Sequence, residues 1–212
     1  ADVLYFNSGN SGGCRPKCLL TDETGHWLVK FRHTYDPQDM GQEEYRYNRL
    51  AQQCGIEVPD FKLIDGQFFA SRRFDISPTG ERLHVATAAA LLNESITPPK
   101  TDYKTILALT GYLTQDPKQV EQMFRRMVFN ILIENKDDHA KNFSFICENG
   151  KWRLAPAYDL TRSTQGYNGE HATSVMGKGN PTTEDMVAAA ASIRIPKKTA
   201  LEIIQTIKTI TG

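Results

Sequence analysis

Three polar residues near the middle of the chain have the types and the spacing that phosphoryl transfer requires. Asp137 and Asn142 lie five positions apart in the segment DDHAKN, and Asp159 follows after two short apolar runs. Mg²⁺ takes carboxylate and amide oxygens together with substrate phosphates, and a further aspartate can position an attacking hydroxyl group and accept its proton. The protein kinase catalytic loop has the same Asp and Asn spacing, followed by a metal-binding Asp. The pattern therefore favours phosphoryl transfer, and the alternative is a group of acids on a solvated surface loop.

The elements on either side of this segment can hold the three side chains in place. A helix is predicted to begin with Asp116 as N-cap, Pro117 at its first position and Gln119 completing a capping box. Its apolar residues recur with the period of a helix that buries one face; they are Val120, Phe124, Met127, Val128, Ile131 and Leu132. Two strands over Asn149–Gly150 follow, and this predicted hairpin returns the chain so that Asp159 can face the start of the loop.

The N-terminal part of the chain contains residues that can bind phosphates. The segment SGNSGGCRPK can surround phosphate groups with backbone N–H groups, although it matches neither common nucleotide-binding motif and a surface turn is the alternative. Lys30 lies in HWLVKF, a predicted strand, and resembles the kinase lysine that binds nucleotide phosphates and pairs with a helix acid. We expect Glu44, in preference to Glu43, to be that acid. A lysine on an edge strand is more often simply solvated, so it is the order of all these parts along the chain that indicates a kinase.

Strands are predicted mainly before residue 75 and helices mainly after it. The segment VLYF is a predicted strand, and turn residues at TDETG and at Asp65–Gly66 indicate two hairpins. The later segments VATAAALL and TDYKTILALTGYL, and two stretches near residues 183–192 and 197–210, are predicted to be helices. We therefore predict an α+β class and a two-lobed, protein-kinase-like fold, with a β-rich lobe at residues 1–75 and a helical lobe at residues 76–212.

The composition restricts the kinds of partner. The chain of 212 residues has 25 basic and 25 acidic side chains and a formal net charge of zero. Broad binding to a nucleic-acid backbone needs a surplus of basic residues, so we expect no direct nucleic-acid binding. The cysteines lack the spacing of a zinc site, which indicates reduced thiols in a cytoplasmic protein. No apolar run approaches the ~20 residues that a membrane-spanning helix needs, so no membrane association is expected.

Longer motifs resemble one kinase family. The run DDHAKNFSF and the later LAPAYDL are similar to the signature of the HipA-like serine/threonine kinases, the toxins of bacterial toxin–antitoxin systems. GGCRPK resembles their phosphate loop, and CGIEVP and RRF resemble a helix end and the hinge between the lobes. The segment that begins with HATSVMG resembles the end of their C-terminal domain. The resemblance covers nearly the whole chain and implies that ATP and Mg²⁺ are the cofactors.

The resemblance implies a role for each matching position. Asp137 is expected to be the catalytic base, and Asn142 and Asp159 are expected to be the Mg²⁺ ligands. The residues expected to contact ATP are Gly12, Gly13, Arg15 and Lys17 in the phosphate loop, Lys30, the hinge residues Arg72, Arg73 and Phe74, and His139, Lys141 and Asn142 in the catalytic loop. Glu44 is expected to support Lys30 by an ion pair. Asp138 lies where some members carry glycine, so we expect it not to be catalytic.

The resemblance also implies partners and self-regulation. The sequence is similar to the shorter members of the family, in which a separate small protein supplies an N-terminal subdomain and a DNA-binding antitoxin completes the system. Family kinases phosphorylate a serine of their own phosphate loop; Asn10 occupies the usual position here, and Ser8 and Ser11 flank it. The expected substrates are the kinase itself and a translation component such as an aminoacyl-tRNA synthetase. The alternatives are a non-catalytic kinase-like subunit that bridges antitoxin proteins, and a kinase of small molecules or lipids.

Overall fold

Seven strands and six α-helices are present in the part of the chain that the structure describes. This computed structural model describes residues 15–32, 34, 37–94, 101–166 and 168–212. The strands are β1 (Lys17–Asp22), β2 (Gly25–Lys30), β3 (Phe61–Ile64), β4 (Phe68–Arg72), β5 (His84–Thr87), β6 (Ser144–Glu148) and β7 (Lys151–Leu154). The helices are α1 (Met40–Gln53), α2 (Ala88–Leu91), α3 (Tyr103–Thr114), α4 (Pro117–Leu132), α5 (Thr183–Ser192) and α6 (Lys197–Thr211), and a 3-10 helix covers Ala140–Asn142. The predicted strand VLYF lies outside the described residues.

The N-terminal part is a four-stranded antiparallel sheet with helix α1 packed against it. The strand order is β1-β2-β4-β3, and the two predicted hairpins, β1–β2 and β3–β4, are confirmed. Asp65 and Gly66 have φ angles of 51° and 69° in the second turn, the left-handed conformation that a tight hairpin turn requires. Helix α1 contacts β3 and β4, and a Cβ atom at Gly41 would lie only 1.9 Å from the carbonyl oxygen of Gln67. This close approach places the start of α1 beside the turn between β3 and β4.

Helix α4 is at the centre of the C-terminal part. Helices α3 and α6 and strand β7 all contact it. The predicted apolar face is buried at Val120, Phe124, Met127 and Val128 and only partly buried at Ile131 and Leu132. Strands β5, β6 and β7 form a second sheet in that order, and the predicted β6–β7 hairpin over Asn149–Gly150 is confirmed. The segment DDHAKN thus lies between a buried helix and a sheet, which fixes both of its ends.

The start of α4 differs from the predicted capping box in one respect. Asp116 accepts a hydrogen bond from the Lys118 N–H at 2.9 Å and Pro117 occupies the first position, as predicted. The predicted role of Gln119 is wrong, because its Oε1 accepts a hydrogen bond from the backbone N–H of Leu154 at 2.6 Å. Strand β7 ends beside the first turn of α4, and a buried backbone amide must find an acceptor there.

The helix predicted for VATAAALL is wrong over its first half. His84–Thr87 forms strand β5, in which Ala86 lies opposite Phe145 of β6, and only Ala88–Leu91 is helical. Thr87 caps this short helix by accepting a hydrogen bond from the Ala90 N–H at 3.1 Å. Alanine-rich segments have high helix propensity, but pairing with a strand that is distant in the sequence can override such a local preference.

The loop after α1 connects the strand-rich part to the helical part. Gln122 of α4 accepts a hydrogen bond from the Glu57 N–H at 3.1 Å and donates one to the Gly55 carbonyl at 2.8 Å. The Glu57 carbonyl also accepts a hydrogen bond from the Ala157 N–H at 2.8 Å. Because Ala157 is two residues before Asp159, these bonds hold helix α1 close to the segment that carries this acid.

The order of elements confirms the predicted α+β class. Strands β1–β4 dominate the N-terminal part, whereas five of the six described helices follow them. Within the described ranges, no helix is both long enough and apolar enough to cross a membrane. The exact division into residues 1–75 and 76–212 stays a prediction.

Candidate active site

Lys30 joins the two parts of the molecule through two ion pairs. Its ammonium group lies 3.2 Å from Glu44 Oε2 on α1 and also pairs with Asp159 Oδ1. Glu43, the alternative helix acid, pairs instead with Arg46 at 3.2 Å. Burial alone lowers the pKa of Lys30, but the charges of Asp159 and Glu44 outweigh it, so that the pKa is raised. Lys30 therefore stays protonated and can attract a phosphate group.

The same ion pair shifts Asp159 in the opposite direction. The charge of Lys30 lowers the pKa of Asp159 and outweighs the effect of burial, so the carboxylate is ionised at neutral pH. The backbone of Asp159 is left-handed, with a φ of 54°, a conformation that is uncommon for residues other than glycine. The carbonyl of Asp159 accepts a hydrogen bond from Asn135 Nδ2 at 3.1 Å. This bond helps to hold the unusual backbone in place.

Asp137 has an accessible carboxylate close to Asp159. Its side chain is 68% exposed, and its Oδ1 lies 3.8 Å from His139 Nε2. The surrounding protein still desolvates the carboxylate, which raises the pKa of Asp137; the charge of His139 opposes this effect, and the charge of Asp159 adds to it. A raised pKa makes the ionised carboxylate a stronger base, which suits general-base catalysis.

Asn142 is oriented by a hydrogen bond within the loop. Its Nδ2 donates to the carbonyl of Asp137 at 2.9 Å, which leaves its Oδ1 to face a cation. Asp159 uses Oδ1 for Lys30, which leaves Oδ2. One carboxylate oxygen and one amide oxygen fit Mg²⁺, since this ion usually takes few protein ligands and completes its shell with phosphates and water. Within the described ranges, no group of three or more His, Cys, Asp or Glu side chains forms a metal cluster.

His139 and Lys141 lie in different surroundings. The Nδ1 atom of His139 is buried and has no hydrogen-bond partner among the described residues. Lys141 has an exposed side chain, while its carbonyl accepts a hydrogen bond from the Tyr158 hydroxyl at 2.8 Å. Burial raises the pKa of Tyr158 to about 12, and its ring stacks on Phe74 with 5.7 Å between centroids. The stack thus joins a predicted hinge residue to the catalytic loop.

The other two predicted hinge residues are engaged within the protein. Arg72 pairs with the Asp60 carboxylate at 3.1 Å, and its backbone N–H donates to the Asp60 carbonyl at 2.7 Å. Arg73 makes two hydrogen bonds to the Asp75 carboxylate, at 2.9 and 2.5 Å, and its N–H donates to the His26 carbonyl at 2.8 Å. A hinge contact to adenine would therefore use backbone groups other than these two amides.

Only part of the predicted phosphate loop lies among the described residues. Arg15 Nη1 is 3.4 Å from Glu44 Oε1. Lys17 lies opposite Lys30 in the β1–β2 pair, and its charge contributes, after that of Lys30, to lowering the pKa of Asp159. Two of the predicted phosphate-binding cations thus lie near the Lys30–Asp159 ion pair. The positions Ser8, Ser11, Gly12 and Gly13 lie outside the described residues.

Sequence analysis missed the buried residues beneath the loop. Asp138 has a fully buried side chain, and its carboxylate accepts hydrogen bonds from the Tyr103 hydroxyl, His171 Nδ1 and the Thr173 N–H at 2.8, 2.9 and 3.2 Å. These partners are 33 to 35 positions away in the chain, so no local pattern could reveal them. The burial keeps Asp138 out of contact with any substrate, and its position beside Asp137 makes it a support for the loop.

Sequence comparisons place the chain in a family. The chain belongs to the HipA-like C-terminal domain family, whose family model matches residues 9–211. The "putative kinase Y4dM" of Sinorhizobium fredii is 29% identical over 71% of this chain and 41% of its own length. A "putative kinase" of Haemophilus influenzae is 25% identical over 57% of this chain and 40% of its own length. The match thus covers about two-fifths of the length of these curated relatives.

Two solved structures share the fold. HipA of Shewanella oneidensis, solved in complex with HipB and its operator DNA, has a TM-score of 0.76 at 17% identity; the match covers 94% of this chain and 56% of that chain. The Helicobacter pylori proinflammatory kinase CtkA has a TM-score of 0.63 at 17% identity, with 96% of this chain and 88% of that chain covered. These matches confirm the predicted kinase-like fold.

Proposed function

We propose that this chain is an ATP- and Mg²⁺-dependent serine/threonine protein kinase. The observation that carries the proposal is Lys30, which pairs at once with Glu44 and Asp159 and so joins the strand-rich part to the loop of acids. A subunit that only bridged other proteins would not need a half-buried lysine with two carboxylate partners beside an accessible base. Membership of the HipA-like family supports the same conclusion.

Each residue of the site has a role in the proposed transfer. Lys30 binds phosphate oxygens of ATP, and Glu44 keeps the ammonium group in position. Asn142 Oδ1 and the Asp159 carboxylate hold Mg²⁺, which when bound neutralises charge on the phosphates. Asp137 accepts the proton of the substrate hydroxyl as its oxygen forms a bond to the γ-phosphorus. The bond from that phosphorus to the β–γ bridging oxygen breaks, and ADP leaves with the electron pair.

The proposed biological role is that of a toxin in a bacterial toxin–antitoxin system. The HipA structure that shares this fold was solved with the HipB antitoxin and operator DNA, which supports a DNA-binding antitoxin as a partner here. A formal net charge of zero favours contact with DNA through that partner over direct contact. We extend the proposal to a small separate protein that supplies an N-terminal subdomain, and to a cytoplasmic location.

The proposed substrates are a translation component, such as an aminoacyl-tRNA synthetase, and the chain itself. Ser8 and Ser11 are the proposed sites of self-modification, since they flank the position that carries the serine in the family. A phosphate on either one would add roughly −1.5 to −2 charges to the segment that is proposed to bind the phosphates of ATP. Mapping of phosphopeptides after incubation with ATP identifies the acceptors, and an unmodified phosphate loop would contradict this part of the proposal.

Transfer of labelled γ-phosphate from ATP to proteins of a bacterial lysate tests the proposed activity. The wild-type chain should label at least one protein in the presence of Mg²⁺. Asp137→Asn should reduce the rate by ~10²- to 10⁴-fold, the usual contribution of a general base, while ATP and Mg²⁺ still raise its Tm. Asp65→Asn, at an exposed hairpin turn with a φ of 51°, is the matched control and should keep full activity. Asp159→Ala serves as the inactive blank for background labelling.

The same measurements separate the two alternatives. A wild-type chain that labels no protein and shows no rise in Tm with saturating ATP and Mg²⁺ would be a non-catalytic kinase-like subunit. A rise in Tm without protein labelling would favour a kinase of small molecules or lipids, which a substrate screen would then identify. Undiminished labelling by Asp137→Asn would show that the base is assigned to the wrong residue.

A further inference from the structure

A chain of buried hydrogen bonds lies beneath the two acids of the proposed site. It begins at the side chain of Asp138, directly after Asp137, and ends at the backbone carbonyl of Asp159. The three linking side chains, all buried, are Tyr103 at the start of α3, Asn130 in α4 and Asn135 in the loop after α4. None of these residues was identified from the sequence.

Asp138 is held from several directions at once. Both of its carboxylate oxygens accept hydrogen bonds, Oδ2 from the Tyr103 hydroxyl and His171 Nδ1 and Oδ1 from the Thr173 N–H. Its backbone carbonyl also accepts a hydrogen bond from Thr173 Oγ1 at 2.5 Å. These buried bonds fix the side chain and the carbonyl of Asp138, and they thereby limit how far the adjoining residue Asp137 can move.

The chain continues from Tyr103 to the second acid. The Tyr103 hydroxyl, which donates to Asp138, accepts a hydrogen bond from Asn130 Nδ2 at 3.1 Å. Asn130 Oδ1 in turn accepts one from Asn135 Nδ2 at 3.0 Å, and the same Nδ2 donates to the Asp159 carbonyl at 3.1 Å. Asp159, at the end of this chain of hydrogen bonds, is the residue described above with a left-handed backbone. A two-donor amide in Asn135 is therefore what fixes the backbone of Asp159 relative to helix α4.

The segment after Asp159 closes the arrangement into a ring. His171 and Thr173 belong to this segment and bind Asp138, and the Ala172 N–H between them donates to the Lys136 carbonyl at 3.1 Å. The loop that carries Asp137 is thus bonded to the chain on both sides of Asp159. A displacement of either acid would strain the same set of buried bonds.

We propose that Tyr103, Asn130, Asn135, Asp138 and His171 are positioning residues that fix Asp137 relative to Asp159. The inference rests on the kinase function proposed above. In-line phosphoryl transfer needs the base and the metal ligand at a set separation, and misplacement by ~1 Å can cost ~10²-fold in rate. Stability alone does not require these residues, because apolar side chains of similar volume often stabilise a core as well as a buried polar group does.

Removal of one hydroxyl group tests the proposal. Tyr103→Phe keeps the ring, which packs edge-on against Phe143, but breaks the link between Asp138 and Asn130. We expect kcat to fall by ~10-fold or more, with an unchanged KM for ATP. Thr110→Val is the matched control, since Thr110 lies on the same helix and its buried hydroxyl, among the described residues, bonds to the Ile106 carbonyl alone, at 2.8 Å. It should lose a similar amount of thermal stability and keep its kcat.

A second variant tests the other end of the chain of hydrogen bonds, at Asp159. Asn135→Leu keeps the number and the branching of the side-chain heavy atoms but removes the donor to Asp159, so the Mg²⁺ concentration at half-maximal nucleotide binding should rise by ~10-fold. The binding is measured with a non-hydrolysable ATP analogue, and circular dichroism confirms that the variant is folded. Thr110→Val should show the wild-type Mg²⁺ dependence.

The outcomes separate failure of the inference from failure of the proposed function. Equal loss of kcat in Tyr103→Phe and Thr110→Val, or unchanged kcat in both, would overturn the positioning role while leaving the kinase function intact. If the wild-type chain transfers no phosphate but binds the analogue with Mg²⁺, a raised Mg²⁺ requirement in Asn135→Leu supports the positioning role and an unchanged one refutes it. No Mg²⁺-dependent binding by the wild-type chain would overturn both proposals.

Discussion

Asp137 and Asp138 are adjacent residues of the same type in opposite environments. The side chain of Asp137 is 68% exposed, whereas that of Asp138 is fully buried. Both carboxylate oxygens of Asp138 accept hydrogen bonds from donors in distant parts of the chain, whereas the carboxylate of Asp137 is accessible. One acid can thus remain accessible to a substrate because its buried neighbour holds the backbone that carries both.

Arg125 and Arg126, two neighbouring residues of α4, also differ in their environments. Within the described ranges, the buried side chain of this pair has fewer hydrogen-bond partners than that of Asp138 has. Arg125 pairs with Glu121 at 2.9 Å and donates to the Cys54 carbonyl at 3.3 Å. Arg126 is 2% exposed, and its Nε and Nη2 atoms have no hydrogen-bond partner among the described residues. Burial lowers the pKa of Arg126 to about 10. The buried charge of Asp138 thus has hydrogen-bond donors at both oxygens, whereas at Arg126 the charge of Glu57 offsets the effect of burial only in part.

The largest effect on stability is expected at Asp138, and only a small effect is expected at Asp137. Asp138→Ala leaves the buried donors of Tyr103, His171 and Thr173 without an acceptor, so we expect the free energy of unfolding to fall by about 3 kcal/mol or more. Asp137→Ala should change it by less than about 0.5 kcal/mol, as at other accessible sites. Urea denaturation of both variants measures the difference. Similar urea midpoints for the two variants would contradict a structural role that Asp138 has and Asp137 lacks.

A gain in stability is expected at the second pair. Arg126→Met removes a buried charge whose Nε and Nη2 atoms lack hydrogen-bond partners among the described residues, and it should raise the free energy of unfolding by ~2 kcal/mol at neutral pH. Because folding depresses the pKa of this base, the charged form costs stability below that pKa, and the gain should shrink as the pH rises through about 10. Arg125→Met, the matched control, should lose stability. Destabilisation by both variants, measured in the same urea titrations, would show that Arg126 has partners in solution.

A smaller loss of stability is expected where the predicted hinge meets the predicted catalytic loop. Tyr158→Phe removes the hydroxyl that bonds to the Lys141 carbonyl at 2.8 Å and to Ser144 Oγ at 2.5 Å, but keeps the stack on Phe74. We expect a decrease of about 1 kcal/mol in the free energy of unfolding, seen as a lower Tm. Tyr112→Phe, at a tyrosine that is 80% exposed, should leave the Tm unchanged. An equal decrease in Tm for Tyr112→Phe would contradict a stabilising role for the hydrogen bonds of the Tyr158 hydroxyl.

The smallest expected effect is a displacement of the acid limb of the pH–rate profile. The proposed base, Asp137, works in its ionised form, so kcat should fall as the pH drops through its raised pKa, above the ~3.9 of an unperturbed aspartate. The charge of His139 lowers that pKa, so His139→Asn should move the limb to higher pH. The profile is measured at saturating ATP and Mg²⁺. A limb that stays in place or moves to lower pH would contradict this electrostatic coupling.

Local sequence patterns predicted much of the fold because the signals are short in range. The turn residues Asp65–Gly66 and Asn149–Gly150 lie in the two hairpins that they indicated, since their backbone preferences are intrinsic. The apolar period of α4 likewise predicted its buried face. Where a distant partner decides, prediction was wrong: His84–Thr87 pairs with β6, and Gln119 bonds to the end of β7.

The residues able to carry out the proposed chemistry can be recognised in the sequence, because the identity and spacing of Asp137, Asn142 and Asp159 are local properties of the chain. How these residues are held depends on the tertiary fold. It brought Lys30 to Asp159 over 129 positions and Asp138 to its donors over more than 30. Hydrogen bonds and ion pairs between such distant residues depend on how helices and sheets pack, and that packing is a property of the whole fold.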